Sequence, residues 1–362
     1  MTEPLLQTAF HAWHREHGGR LVDFAGWEMP VQYTTITEEH TAVRTSVGLF
    51  DIAHMGRLVF RGPDACGLLD RLVTNDVASI ECGQVRYALV CREDGGILDD
   101  VLVYRFDDDY LLVVNASNRL KIVEWIESHR GGYDVEVVDR TLEWAMVAVQ
   151  GPGSLEEVSA VTDVDVSTMG YYRCAAGEVL GHPGRVSRTG YTGEDGFELI
   201  VPGESAAALW ERLLGSGGVM ACGLGCRDTL RLEAAMPLYG HELDEQTDPY
   251  TAGLGFAVKG DAAKFIGHGA VMEARERTGR SRRVGLKLEG RRIGREGAEV
   301  FSGDTRVGEV TSGTFSPTLQ EAIAMGYVDP AAAEVGTVVE VDVRGRRVAA
   351  EVVKLPFYRR EA

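Results

Sequence analysis

Two adjacent carboxylates, Asp99 and Asp100, stand in the otherwise apolar run GGILDDVLVYRF. Neighbouring side chains on a strand point to opposite faces, so only one of the two can enter a given pocket. A carboxylate among Ile97, Leu98, Val101, Leu102 and Val103 is costly unless something pairs with it. Such a group is either a working acid or base, or an aspartate capping a turn at a strand end, and the pattern alone leaves both open. Glu198, between Phe197 and Leu199, poses the same question. A carboxylate there can accept paired hydrogen bonds from an amino-pyrimidinone or a guanidinium, each contributing ~1.5–3 kcal/mol, or it can form an ion pair with an internal arginine.

Other groups carry less. His11, His14 and His17 recur every third residue, but nothing downstream completes a zinc site, and a solvated helix face is expected. Cys222 and Cys226 flank Gly223-Leu-Gly225 with no second pair, which favours packing over metal binding. Neither G-x-G-x-x-G after a strand nor G-x-x-x-x-G-K-[ST] occurs, and G-x-S-x-G is missing too. Rossmann and P-loop nucleotide binding and a nucleophile elbow are therefore not expected.

The elements that must position these residues alternate short strands with amphipathic helices. Val85–Val90, Ile97–Phe106 and Tyr110–Asn115 read as strands separated by Glu93-Asp-Gly-Gly96 and Asp107-Asp-Asp109. Leu120, Ile122, Val123 and Ile126 give 118–129 a helical face. Strands are expected at 133–138 and 144–149, then a helix at Ser154 with that serine as cap. A hairpin over 186–200 and helices over 204–214 and 227–235 follow. This order suits antiparallel α+β modules. From about Arg282, six short strands with turns every ten residues or so predict a small β-barrel or sandwich. The Gly- and charge-rich stretch 260–282 reads as the connector.

The chain has 362 residues, 44% hydrophobic and 25% charged, with a net charge of −18. These are globular values for two or three domains. The acidity disfavours nucleic acid and anionic membranes. Five of its 37 basic residues are Lys and the rest Arg. No run reaches the ~18 apolar residues of a membrane span, and the first 19 residues lack the pattern of a signal peptide. Six scattered cysteines read as reduced thiols, so a soluble, cytoplasmic protein is expected.

Seven strings taken together are more specific. They are Asp23-Phe-Ala-Gly-Trp-Glu-Met-Pro-Val-Gln-Tyr33, Gly48-Leu-Phe-Asp-Ile-Ala-His-Met-Gly56, Gly95-Gly-Ile-Leu-Asp-Asp100 and Arg188-Thr-Gly-Tyr-Thr-Gly-Glu-Asp-Gly-Phe-Glu198, followed by Cys226-Arg-Asp-Thr-Leu-Arg-Leu-Glu-Ala234, Thr311-Ser-Gly-Thr-Phe-Ser-Pro317 and Pro356-Phe-Tyr-Arg359. In order and spacing they resemble the aminomethyltransferase (T-protein) family of the glycine cleavage system, from about Leu6 to Arg359. The resemblance implies a three-lobed folate-binding α+β fold: two antiparallel α+β lobes over 1–275 and a C-terminal β-barrel over 276–362. It implies a reaction in which lipoylated H-protein delivers an aminomethyl group, tetrahydrofolate accepts the carbon and ammonia leaves. The glycine decarboxylase and dihydrolipoyl dehydrogenase components are the implied functional partners, with no metal. Asp100 matches the family's essential carboxylate, as proton acceptor or as stabiliser of a developing cation. Glu198 matches the pterin-edge position, and Arg227 and Arg359 match arginines near folate. Met55, Tyr87, Tyr172 and Tyr191 match pocket-lining positions, with Tyr104 and Asn115 in the same set.

Two other readings share the fold. A folate-dependent demethylase of a small methylated amine or sulfonium compound is one, although in the amine dehydrogenases a flavin domain precedes the module, which here starts near residue 6. A folate-binding accessory protein for iron–sulfur enzymes is the other, and its Lys-Gly-Cys-Tyr-x-Gly-Gln signature is not found.

Overall fold

The described residues of the computed structural model are 4–260 and 265–360. They divide into two compact units. The first comprises Met1–Ala88, Asp100–Gly190 and Glu194–Arg227, and the second Leu89–Asp99, Tyr191–Gly193 and Asp228–Ala362.

Strand-forming runs of Val, Leu and Ala build two sheets. One has the spatial order Cys174–Val179, His182–Ser187, Gly196–Pro202, Trp144–Gln150, Val47–Asp51, Val219–Cys222. The other runs Val85–Cys91, Ile97–Arg105, Tyr110–Val114, Gly56–Arg61, Glu136–Asp139. Val219–Cys222 lies parallel to Val47–Asp51, whereas Trp144–Gln150 is antiparallel to both of its neighbours and so is Gly56–Arg61. The helix Ala206–Leu214 buries Ala206, Leu209, Trp210 and Leu213, the three-and-four spacing of one helical face. That face joins Val47, Leu49, Val147, Val149, Leu199 and Val201 in one apolar core. The helix Ile36–Thr45 opens with a capping box, Thr35 accepting from the Glu38 amide while Glu38 reaches back to the Thr35 amide.

In the second unit six strands close into a barrel: Arg282–Leu288, Glu321–Val328, Thr305–Ser316, Glu299–Ser302, Val338–Asp342 and Arg347–Val353. Period-two alternation turns Val284, Leu286 and Leu288, with Ala322 and Ala324 opposite, into its interior. The barrel expectation holds strand for strand. Part of the expected connector falls on residues 261–264, outside the described residues, and a helix, His268–Glu276, occupies much of the remainder.

Three local expectations are corrected. Ser154 is the first residue of its helix, not the cap; Gly153 holds that position, and the Ser154 hydroxyl is buried without a partner. The strand expected from 133 begins only at Glu136, because Tyr133 closes a turn onto the Arg130 carbonyl. The helix expected over 227–235 spans Leu224–Glu233. Ala235 adopts a left-handed backbone at φ 56°, and that conformation stops an α-helix.

Within the second unit a buried ion pair ties this helix to the barrel. Arg231 donates to Glu242 at 2.8 Å and to the Ser312 hydroxyl at 2.7 Å. Glu242 also accepts from Thr311 at 2.6 Å and from the Leu238 amide at 2.9 Å. These partners hold its carboxyl below the usual range against the opposing effect of burial. Breaking such a pair from one side leaves a buried charge alone. Glu242→Ala is expected to lower stability by about 3–5 kcal/mol, read from the urea midpoint of the full chain. An unchanged midpoint would contradict this account.

Candidate functional site

Asp100 sits on the strand Ile97–Arg105, partly exposed, whereas Asp99 beside it is fully buried. The adjacent strand Tyr110–Val114 ends at Asn115, whose side-chain amide donates to Asp100 Oδ1 at 2.8 Å and to the Asp100 carbonyl at 3.1 Å. From the strand Val85–Cys91, the Tyr87 hydroxyl donates to Asp100 Oδ2 at 3.1 Å. Three residues singled out in the sequence thus form one cluster in which two neutral donors orient a carboxylate.

Glu198 occupies the middle of Gly196–Pro202, paired with Ser187 on one side and Ala148 on the other. Its Oε2 accepts from the Thr189 hydroxyl at 2.5 Å and from the Tyr104 hydroxyl at 3.4 Å. Burial pushes its carboxyl above the ordinary range, against the pull of Thr189, Arg227 and Tyr104. Arg227 acts on Glu198 only through its field, so the simple ion-pair reading gives way to hydroxyl donors. Oε1 has no donor among the described residues. The Tyr104 phenol is held well above its usual value by burial and by the nearby Glu198 charge.

Tyr172 relates the two carboxylates. Burial raises its phenol first, and the charges of Tyr171, Glu198 and Asp100 add to the rise. Its φ is 60°, a left-handed conformation costly for a bulky residue. Flanking bonds hold it there: its amide donates to the Arg188 carbonyl at 3.0 Å, and its carbonyl accepts from Val85 at 2.9 Å.

Met55 lies in the turn after Val47–Asp51, where its carbonyl accepts from Arg57. Arg57 is fully buried and also donates to the carbonyls of Ala53, Thr141 and Trp144. Four carbonyl acceptors on two segments make it the staple of the Met55 turn. Tyr191 and Arg359 belong to the second unit. The Tyr191 hydroxyl donates to the Pro237 carbonyl, and Arg359 is exposed.

Sequence reasoning passed over Arg57, Thr189 and His54, although Thr189 and His54 lie inside quoted motifs. It also misread the amino-terminal histidines. His14 is fully buried, bonded to Asp51 at 2.9 Å and to the Tyr33 hydroxyl at 2.7 Å, while Thr8 donates to the same Asp51 oxygen at 2.6 Å. His11 meets Glu28 at 2.6 Å, and His17 stacks on Trp13 with ring centres 4.1 Å apart. The helix spans only His11–Glu16 and inserts a polar face into the protein, so a solvated face is not what forms. Near Cys222 and Cys226 lies the carboxylate of Glu39, the three ligand atoms within 4.8 Å of one another. Glu39 accepts from the amides of Tyr33 and Thr34 on one oxygen and Gly223 on the other. Burial and Cys222 push the Cys226 thiol well above its usual value. A carboxylate engaged by three amides makes a tie between segments.

The chain is similar to known proteins over nearly its whole length. Residues 10–262 match the GCVT N-terminal domain, and residues 281–359 the glycine cleavage T-protein C-terminal barrel domain. An aminomethyltransferase of Streptomyces coelicolor is 49% identical, covering 99% of this chain and 98% of its own length. Another, of Rubrobacter xylanophilus, is 50% identical over 99% and 95%. A crystal structure of the glycine cleavage system aminomethyltransferase T of Bartonella henselae superposes with a TM-score of 0.93 at 35% identity, covering 98% of each chain.

His54 gives this region a signature in pH. It is fully buried, its Nδ1 has no partner, and its ring meets Phe24 edge-on at 5.5 Å. Burial pushes its pKa down to about 4; Asp51 opposes the fall and the Arg227 and Arg57 charges add to it. An unfolded histidine takes up its proton near pH 6.5, so the unfolded state binds more protons between there and about 4. The stability contribution is complete above pH 6.5 and is lost as pH falls toward 4. Between pH 7 and 4.5 the wild type is expected to lose about 2–3 kcal/mol more than His54→Gln. Parallel losses in urea titrations at the two pH values would refute it.

Proposed function

The chain belongs to the aminomethyltransferase family of the glycine cleavage system, and from that premise we propose how its residues perform the transfer. The carbon of an aminomethyl group carried by lipoylated H-protein passes to tetrahydrofolate. Ammonia leaves, and dihydrolipoyl H-protein and methylenetetrahydrofolate remain. The two lobes over 1–275 hold the acceptor, and the barrel over 276–362 completes the enzyme. It works in the cytoplasm alongside the glycine decarboxylase and dihydrolipoyl dehydrogenase components.

The observation that carries the assignment is the carboxylate pair: Asp100, partly exposed and oriented by Tyr87 and Asn115, and Glu198, buried with Oε1 open. An open carboxylate oxygen in a desolvated setting fits the donor edge of an amino-pyrimidinone. Tetrahydrofolate, when bound, supplies the nucleophilic nitrogens that take the carbon.

The protein's residues do the rest. Glu198 holds the ring edge, and Thr189 and Tyr104 fix the oxygen that does not face it. Met55, Tyr87, Tyr172 and Tyr191 supply flat or polarizable packing for the rings, and Arg227 and Arg359 supply cations for the glutamyl carboxylates. Asp100 carries its negative charge on a preset carboxylate. Because Tyr87 and Asn115 orient it beforehand, it takes up a proton or steadies positive charge at the transferred carbon without reorganising.

Asp100→Ala is expected to keep the fold and lower kcat with H-protein and tetrahydrofolate by about 10²–10⁴-fold. A folded variant with full turnover would overturn the assignment. Glu198→Gln replaces an acceptor oxygen with a donor, and should raise KM for tetrahydrofolate at least about tenfold with a smaller change in kcat. The opposite split, kcat falling with KM constant, would place Glu198 in the chemical step instead.

A further inference from the structure

In the first unit the turn Met169-Gly-Tyr-Tyr172 leads into the strand Cys174–Val179. Tyr172, at its end, is the side chain on which the charges of Glu198 and Asp100 both act. Its backbone stands at φ 60°, a conformation that a bulky residue keeps only where its surroundings over-determine it. The Val85 amide holds its carbonyl at 2.9 Å. The rest of the grip comes from Arg188.

Arg188 takes this turn at both ends. Its carbonyl accepts from the Tyr172 amide at 3.0 Å, and its Nη1 donates to the Met169 carbonyl at 2.6 Å. Its own amide donates to the Arg173 carbonyl at 2.9 Å. The backbone and side chain of one arginine therefore bracket the four residues that carry the left-handed position.

The guanidinium reaches Met169 because Asp195 aims it. Nε donates to Asp195 Oδ1 at 2.9 Å and Nη2 to Oδ2 at 2.5 Å, the paired fork that fixes the plane of a guanidinium. Asp195 is anchored in turn, its carbonyl accepting from the Gly151 amide at 2.8 Å. The two side chains are only 20% and 21% exposed, so solvent screens this pair less than a surface bridge. A bridge that served stability alone would lower the fraction of folded enzyme and leave its substrate affinity untouched.

We propose that Arg188 and Asp195 are positioning residues for tetrahydrofolate: their ion pair holds the 169–172 turn so that the Tyr172 ring stays in place to pack on the folate rings. The inference deepens the proposed reaction and rests on it, because Tyr172 enters there as a wall of the folate site. Neither residue touches the reacting atoms in this account, and both act through Tyr172.

The test is a double-mutant cycle on the full chain, with KM for tetrahydrofolate measured at saturating lipoylated H-protein and urea midpoints measured alongside. Asp195→Asn keeps the size and removes the charge, and is expected to raise KM about tenfold with a smaller change in kcat. Tyr172→Ala raises KM by removing the ring, and in that background Asp195→Asn should add less than about twofold. If Asp195→Asn does not fold, Arg188→Lys takes its place with the same expected directions, since a point charge cannot serve the paired fork and the Met169 carbonyl together. A folded variant with unchanged KM, or an equal rise in both backgrounds, would overturn the positioning role and leave the reaction standing. A wild type without turnover on H-protein would overturn the functional reading, and this inference with it.

Discussion

A charged group taken out of water must be given donors or acceptors before anything else in the fold can be satisfied. That requirement organises both units. In the first, Asp51 is fully buried and accepts from Thr8, His14 and the Ala53 amide. Arg57 is just as buried and spends its guanidinium on four carbonyls. The strand Val47–Asp51, the turn that follows and the amino-terminal helix are therefore locked together by polar demands inside an apolar core. In the second unit Glu242 and Arg231 do the same for a helix and a barrel strand.

The candidate site is a relaxed version of the same rule. Asp100 keeps some exposure and accepts from the neutral donors Tyr87 and Asn115. Glu198 stands at the other limit, buried enough for its proton affinity to rise yet given only hydroxyls to lean on. One fold thus maintains two carboxylates in different states of solvation, a difference that the proposed roles of binding acceptor and reactive group would use.

How much of this was legible in sequence depends on range. Alternation in Val284, Leu286 and Leu288 and helical spacing in Ala206, Leu209, Trp210 and Leu213 are short-range properties, and they announce the barrel and the helix directly. Asp99 and Asp100 in an apolar run announce a problem needing a solution, but the solution, Tyr87 and Asn115, comes from two other strands. His11, His14 and His17 mislead for the same reason. Glu28 lies 17 residues from His11, and Asp51 and Tyr33 lie 37 and 19 residues from His14, and nothing in a six-residue helix reveals them. Arg57 is harder still, because its acceptors are backbone carbonyls, which carry no side-chain signature at all.

Net charge behaves like the histidines, since a sum over the chain discards position. A value of −18 excludes the nucleic-acid and membrane classes only if the deficit is spread evenly. Here the carboxylates crowd into the first 260 residues, while the barrel segment is slightly positive. The field felt by a macromolecular partner is set within about a Debye length, ~8–10 Å at ordinary ionic strength. At that range a partner meets the local charge, never the average over the chain. A net charge therefore describes no single face of the chain.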